Sequence, residues 1–476
     1  MFYNNFNFYI FLGFTFLNFL GYSQVEISGK VIDSVYAEPL ENASIYVKNT
    51  TIGTISNSDG RFSLTIPSVN KKDTLIVSSI GFKSFKIPIE EFQNAQDVFL
   101  FEDVASLDEV VILADPRPTT GNGIVLKAIE RLSQNLPDSA YLQKGFLRHK
   151  ERNNLEFKWL IESAITLYDS GYGSKSSEQL KINVDEMRKS YDLRNVDSIF
   201  SYVSYRNRIA KQNRLRAQDI NREDVSKLQL INAIKWNDTR VNGLQNIFQG
   251  KLNLIRNAQE AKSVFGDNIL ETHQFKLDTI LVDDGRKIYK IKIDQSTDFV
   301  GLDTEGMYNE GYKAQGWFYI YYDNYAIKRV EYELVAASDK QKSRSKRLFG
   351  TQTNHKLIIN YMEYNDKMYP NYMYYETPKL VNVGLKTDRK VTQKEIDRYN
   401  KEERYYYTVQ EILFTEIILD RTSVKEELNS KPWNMDIFMT KPYNKDFWRN
   451  YNILLESEED EEMIDDLSKR ASLFKD

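Results

Sequence analysis

The chain of 476 residues contains no cysteine. Disulfides, thiolate zinc sites, cysteine nucleophiles and lipid attachment through an amino-terminal Cys are therefore excluded. Histidine is almost as scarce: the three are His149, His273 and His355. None stands in a His-Glu-x-x-His or His-x-x-Glu pattern, and His149-Lys150-Glu151 has the wrong spacing. No metal-binding residue is assigned, and zinc peptidase chemistry is not expected. No Gly-x-Ser-x-Gly run is present, which removes serine hydrolases of the nucleophile-elbow type. Paired carboxylates for glycoside cleavage stay open, because such acids meet in space and not in sequence. No catalytic or cofactor-binding residue is assigned either.

Charge of one sign is also lacking. The net charge is −4 with 28% charged residues, so no global field argues for nucleic acid or an acidic polymer. Long apolar runs are few. Phe8 to Leu20 is followed by Gly21 and Ser23, and reads as the core of a cleavable export signal over residues 1–23. Residues 1–7 carry no Lys or Arg, which keeps a retained amino-terminal anchor as the alternative. Beyond Gln24 no stretch is long enough to cross a bilayer as a helix.

What is present points to strands. Hydrophobic residues make up 41% of the chain, enough for real cores, and the length favours about two or three domains. From Val25 apolar residues alternate: Ile27 and Val31 around Gly29, then Ala43, Ile45 and Val47, then Phe62, Leu64 and Ile66, then Leu75 and Val77. Turn signals separate them at Glu38-Pro39, Asn57-Ser58-Asp59-Gly60, Asn70 to Asp73 and Ile80-Gly81. About seven short strands in roughly ninety residues is the spacing of a β-sandwich.

The run Gly29-Lys30-Val31-Ile32-Asp33, then Pro39 to Ile45, Gly53-Thr54, Ser58 to Leu64 and Leu75 to Phe82 resembles the carboxypeptidase-regulatory-like, transthyretin-shaped β-sandwich. The resemblance covers residues 25 to about 101. It implies a non-catalytic spacer or docking module, since in carboxypeptidases this domain sits beside the catalytic one. The same domain precedes TonB-dependent receptors of the Bacteroidetes envelope, followed there by a Leu-Asp-Glu-Val-Val motif, and Ser106-Leu107-Asp108-Glu109-Val110-Val111-Ile112 stands in that place here. Asp59, Gly60 and Gly81 are read as turn formers.

The domain is assigned residues 25–113, with a proline-bearing linker at 114–122. Ile124, Ala128, Ile129 and Leu132 share one helical stripe, which predicts a helix over Gly123 to Leu136, ended by Pro137. Hairpins then dominate residues 123–455. Lys144 to Arg152 and Leu155 to Tyr168 flank Asn153-Asn154; His273 to Val282 and Arg286 to Asp294 flank Asp283-Asp284-Gly285. Gly316 to Tyr322 and Ala326 to Val335 flank Asp323 to Tyr325, and Lys356 to Tyr364 and Lys367 to Tyr375 flank Asn365-Asp366. Such hairpins build an antiparallel meander or half-barrel. Residues of about 197–266 read as a helical insertion. Gly171-Tyr172-Gly173-Ser174-Lys175 reads as a loop. The basic run Lys340 to Arg347 reads as a mobile loop, and the acidic stretch 456–476 as a solvated or frayed end.

Gly316-Trp317-Phe318-Tyr319-Ile320-Tyr321-Tyr322, followed by Tyr325-Ala326-Ile327, resembles the strand-turn-strand repeat of half-barrels related to periplasmic lipoprotein carriers. That resemblance implies an acyl-chain or lipoprotein role. The aromatic strands Trp317 to Tyr322 and Tyr372 to Tyr375 would then line a cavity; the alternative is ordinary two-sided strand packing.

The expected fold is thus mainly β with a helical insertion: a seven-stranded sandwich followed by a larger antiparallel meander or half-barrel. The expected function is non-catalytic, in an exported protein of the periplasm or outer membrane. Its partner would be an envelope protein, a lipid or a glycan, with membrane association left open and nucleic acid disfavoured. A small outer-membrane barrel or TonB-receptor-related protein is one alternative, although some 360 residues after Ile112 fall short of a 22-stranded barrel. A hydrolase on the second domain is the other.

Overall fold

A computed structural model describes residues 24–103, 117–152, 157–173, 180–191, 269–297, 312–339, 342–343, 345–346, 352–381, 404–437, 439 and 441–470. The export signal, the Leu107–Val111 motif and the helical insertion of about 197–266 lie outside the described residues.

The first domain contains β1 (Gln24–Asp33), β2 (Ser44–Val47), β3 (Gly53–Ile55), β4 (Arg61–Pro67), β5 (Thr74–Ser78), β6 (Phe85–Pro88) and β7 (Gln96–Leu100). They form two sheets, ordered β4-β1-β7 and β3-β2-β5-β6. The alternating residues face each other between the sheets: Ile27, Val31, Ala43, Ile45, Val47, Phe62, Leu64, Ile66, Leu75 and Val77 form one buried cluster. Period-two alternation puts one side of each strand inward, so the pattern read along the chain is the core itself. At the Asp59-Gly60 turn, Gly60 has φ +75°, and a Cβ there would lie 2.4 Å from the Val31 carbonyl oxygen. Only glycine meets both conditions.

The second domain opens with α1 (Gly121–Glu130) and α2 (Leu132–Asn135). The helix begins two residues before the expected Gly123, because the Thr120 hydroxyl caps it by accepting from the Gly123 N–H at 3.1 Å. Ahead of it the linker residue Arg117 lays its guanidinium 4.1 Å over the Tyr322 ring. The strands are β8 (Tyr141–Arg152), β9 (Phe157–Asp169), β10 (Leu180–Tyr191), β11 (His273–Asp283), β12 (Arg286–Ser296), β13 (Tyr312–Tyr321), β14 (Ile327–Ala336), β15 (Thr353–Tyr364), β16 (Lys367–Val381) and β17 (Arg404–Ile418). A one-turn helix α3 (Ile269–Thr272) precedes β11, and α4 (Arg421–Ser430), α5 (Lys445–Arg449) and α6 (Glu458–Arg470) follow β17.

These ten strands make one antiparallel sheet ordered β10-β9-β8-β17-β16-β15-β14-β13-β12-β11. The last strand, β17, inserts beside the first, β8, and joins two runs of hairpins into one surface. Among the described residues β10 and β11 stand at opposite edges, so the sheet is open. All four expected hairpins are formed. Strand β17 was not expected. It is covered on both sides, with Thr408, Val409 and Gln410 buried in succession and Ile412, Leu413 and Phe414 likewise, which erases alternation.

The two faces of the sheet have different covers. On one, Ile124 and Ala128 of α1 pack with Leu147, Ile161, Tyr289, Phe318 and Ile412. On the other, Phe146, Ala164, Tyr372 and Leu413 pack with Trp448 and Leu454, and with Ile55 from the sandwich. The aromatic strands therefore pack on both sides: Tyr372 joins the second cluster, while Met373 and Tyr375 join the first.

Two expectations from local charge are corrected. The acidic stretch is not a solvated end over its described part: it forms α6, with Leu467 fully buried. Self-repulsion is offset by cations beneath it, and the acids of its first turn, Glu458 to Glu461, suit the positive end of the helix dipole. In the basic run, Lys342, Ser343, Ser345 and Lys346 are helical, and the Lys342 N–H donates to the Ser338 carbonyl at 2.8 Å. That i→i−4 bond satisfies one backbone pair that a loop would leave to water.

Candidate functional site

The sandwich is joined to the sheet at several points. The Gly81 N–H donates to the Val282 carbonyl at 2.8 Å. Asn452 pairs with the Thr65 backbone in both directions, at 2.8 and 3.1 Å. Asn57 and Arg61 donate to the Glu456 carbonyl at 2.7 and 3.1 Å. These contacts fix two recesses between the domains.

The larger is a polar cleft of about 520 Å³, within the range of ligand sites. One wall is the outward face of the sandwich sheet. Ser44 and Tyr46 of β2 and Lys48 just after it alternate with the inward Ile45 and Val47, and Ser78 and Lys86 lie beside them. The other wall is made of the hairpin ends of the large sheet: Asp283, Asp284 and Arg286 at the β11–β12 turn, Tyr321, Lys328 and Glu363.

Most charges of the cleft have partners. Lys86 Nζ lies 2.6 Å from Asp284, tying sandwich to sheet. Arg286 grips Asp323 with Nε at 3.0 Å and Nη2 at 2.8 Å, also bonds Glu363, and lies 3.9 Å over the Tyr321 ring. The Tyr321 hydroxyl donates to Asp283 at 2.7 Å, and Lys328 is 3.8 Å from the same carboxylate. Burial, and then Asp284 and Asp283, push the Tyr46 phenol well up; burial does the same at Tyr321. Both phenols stay protonated, and that of Tyr321 is the donor to Asp283. Burial would raise the Asp323 carboxyl, yet Arg286 holds it below the usual carboxylate range. Among the described residues no histidine lines the cleft. Its chemistry is that of hydrogen bonding: amides, hydroxyls and largely paired charges.

The smaller recess, of about 180 Å³, lies where α6 meets β8. Arg148, Lys150 and Arg152 occupy alternate positions of β8 and share a face. Arg148 bonds Glu162, Glu456 and the Leu454 carbonyl, each at 2.8 to 2.9 Å. Lys150 lies 2.6 Å from Asp460 and 3.4 Å from Glu411, and Arg152 3.1 Å from Glu459.

The three histidines are not brought together. His149 is on β8, His273 on β11 and His355 on β15. The order of strands separates neighbours among them by three and four strand spacings, roughly 14 and 19 Å along the sheet. His149 Nδ1 is 2.9 Å from the Gln410 amide nitrogen and its ring stacks on Trp159. His273 Nδ1 faces the Ile269 carbonyl at 3.2 Å, so it carries the proton, and Nε2 accepts from the Tyr332 hydroxyl at 3.0 Å. Burial lowers its pKa to about 4. Among the described residues no group of three or more His, Asp and Glu is placed to hold a metal, and no described helix is long and apolar enough to cross a membrane.

Sequence reasoning missed both recesses. The alternate cations Arg148, Lys150 and Arg152 were a legible signal, because a strand face carrying three positive charges needs partners. The cleft had none, since its walls lie some 240 residues apart in the chain.

The first quarter of the chain is similar to TonB-dependent receptor SusC of Bacteroides thetaiotaomicron, at 34% identity over 121 residues, covering 25% of this chain and 11% of the receptor. It is also similar to TonB-dependent receptor P39 of Formosa agariphila, at 31% identity over 93 residues, covering 19% and 8%. The chain thus spans about a tenth of the length of these curated relatives. Among solved structures, a LolA superfamily protein from Nitrosomonas europaea is 10% identical with a TM-score of 0.21, covering 63% of this chain and 94% of that one. A DUF1329 family protein from Desulfovibrio piger is 10% identical with a TM-score of 0.25, covering 65% and 95%. At these scores neither structure bears on function. Residues 27–112, which include the whole sandwich core and the Leu107–Val111 motif, match the family model of the CarboxypepD_reg-like domain.

Proposed function

We propose that the chain is a non-catalytic exported protein of the cell envelope that binds a partner in the polar cleft between its sandwich and its ten-stranded sheet. The observation that carries this reading is the construction of the cleft. Its walls come from two domains locked together, and its carboxylates are already engaged, so it offers a preorganised hydrogen-bonding surface. Preorganisation is what binding needs. Catalysis would also need an acid, base or nucleophile poised at a common point, and the cleft's carboxylates Asp283, Asp284 and Glu363 are instead each engaged by a cation or a phenol. Similarity of the first domain to the amino-terminal part of two TonB-dependent receptors supports placement in the envelope. The partner class is an envelope protein, a lipid or a glycan, and the hydroxyl, amide and ionic lining favours a polar one.

A photo-crosslinking residue at Thr50, on the rim of the cleft, tests this in the full chain. A discrete adduct in envelope fractions, absent when the same residue replaces the distant, exposed Val69, is the expected result. Turnover of a peptide, ester or glycan substrate at enzymatic rates, abolished by replacing one cleft carboxylate, would overturn the non-catalytic reading.

A further inference from the structure

Helix α6 lies over the cationic face of β8 with its acids matched one to one: Asp460 on Lys150 at 2.6 Å, Glu459 on Arg152 at 3.1 Å, and Glu461 on Arg61 of the sandwich at 2.9 Å. Met463 and Leu467 follow Asp460 at the helical spacings of three and seven, and pack with Leu160 of β9 in a small cluster bordered by Ile464. The Ser457 hydroxyl starts the helix by accepting from the Asp460 N–H at 3.1 Å.

The helix start is anchored, with the Glu458 N–H donating to Asp59 at 2.7 Å and the Glu456 carbonyl accepting from Asn57 and Arg61, but beyond it the helix is weakly held. Two of the three acids are largely exposed, Glu459 at 72% and Glu461 at 52%, and exposed pairs contribute little and are screened by salt. Lys150 and Asp460 are mostly shielded, but a shielded pair gains little net energy over its desolvation, so one carboxylate can replace another at small cost. The apolar anchor is three buried side chains. A recess of about 180 Å³ remains open between helix and strand. Beneath it the strip is rigid, being the interior of a ten-stranded sheet.

We propose that this strip is a docking surface for an acidic amphipathic helix of a partner protein, and that α6 is a built-in competitor for it. The resident helix specifies what fits: carboxylates in the first turn, one of them on Lys150, then apolar residues three and seven positions later. The partner class follows from charge complementarity and from this spacing. The proposal is independent of the cleft.

The probe is a fluorescein-labelled peptide of residues 456–470, added to the full chain and to a full-length variant whose own helix is weakened by Glu459→Gln, Asp460→Asn and Leu467→Ala. Competition predicts binding about tenfold tighter to the variant, because its strip is uncovered more of the time. That binding should weaken as salt is raised and disappear when Lys150→Glu is added. Equal affinity for both proteins, or no binding to a folded variant, overturns the proposal. So does binding of anionic phospholipid vesicles in place of the peptide. Should the variant fail to fold, hydrogen exchange on the unaltered chain decides: amides of Glu458–Arg470 exchanging well before those of β8 and β9, and faster in high salt, support a displaceable helix. Protection equal to that of β8 overturns it.

Discussion

Arg148 and Glu162 stand opposite each other in register on β8 and β9, 2.8 Å apart, with 2% and 0% of their side chains exposed. Glu162 also takes the Arg188 Nε at 2.6 Å. Burial would raise its pKa, yet the guanidiniums of Arg148 and Arg188 hold it below the ordinary carboxylate range. Glu456, on the other side of Arg148, goes the opposite way: burial raises it despite the same guanidinium. Both carboxylates hold Arg148, but Glu162 is held charged by two guanidiniums, whereas Glu456 has one chief partner.

Replacing them separates the two roles. Glu162→Gln leaves two buried guanidiniums short of a partner and is expected to cost about 3–5 kcal/mol. Glu456→Gln removes a charge that the fold already disfavours and is expected to cost under about 1 kcal/mol. Urea denaturation of both variants at neutral pH measures the contrast, and equal costs would remove the distinction.

His273 sets a pH leg. Its pKa falls from 6.5 to about 4 on folding, so between those values the unfolded chain binds a proton that the folded chain refuses. Stability therefore falls as pH drops from 6.5 towards 4, by roughly 3 kcal/mol in all. Glu162 acts below that window: its contribution is complete above the unfolded value of 4.5 and is lost as pH falls through its lower folded value. His273→Gln should flatten the upper leg and leave the lower one, as read from denaturant midpoints across pH.

Gly316 lies within β13, opposite Tyr332, with φ +134°, and a Cβ there would stand 2.0 Å from the Glu331 carbonyl oxygen. Gly285 at the β11–β12 turn has φ +81° but nothing within 4 Å. Gly285→Ala is expected to cost about 1–2 kcal/mol in backbone strain. Gly316→Ala adds a collision with a strand that cannot move, and should cost at least about 3 kcal/mol or prevent folding. Thermal melts of the two variants provide the comparison.

In the cleft, ion pairs of similar length differ in worth. Lys86 and Asp284 are 49% and 34% exposed, so a double-mutant cycle should return a coupling under about 1 kcal/mol. Arg286→Lys, which keeps the charge, loses the fork on Asp323 and the planar contact with Tyr321. It is expected to cost about 1–2 kcal/mol and to lower the adduct yield from a crosslinker at Thr50. An unchanged yield would mean that the partner does not reach this end of the cleft.

Alternation and turn chemistry are local, and they were legible. Ile27, Ile45, Phe62, Leu64 and Val77 named the sandwich core, and Asp283-Asp284-Gly285 and Asn365-Asp366 named two turns of the meander, because strand period and turn dihedrals depend on near neighbours alone. Strand β17 was hidden because two covered faces leave no period to read.

The sequence by itself determined the sandwich, the hairpins and the lack of any thiol or histidine motif, since each is a property of residues adjacent in the chain. Tertiary structure alone decided that β17 joins β8, that the acids of 459–461 land on Arg152, Lys150 and Arg61, and that Lys86 meets Asp284 to close a cleft. Those outcomes depend on contacts between residues about 200 to 400 positions apart. A charge or an apolar side chain carries no mark of its distant partner, and the pairing is selected only when the whole chain packs.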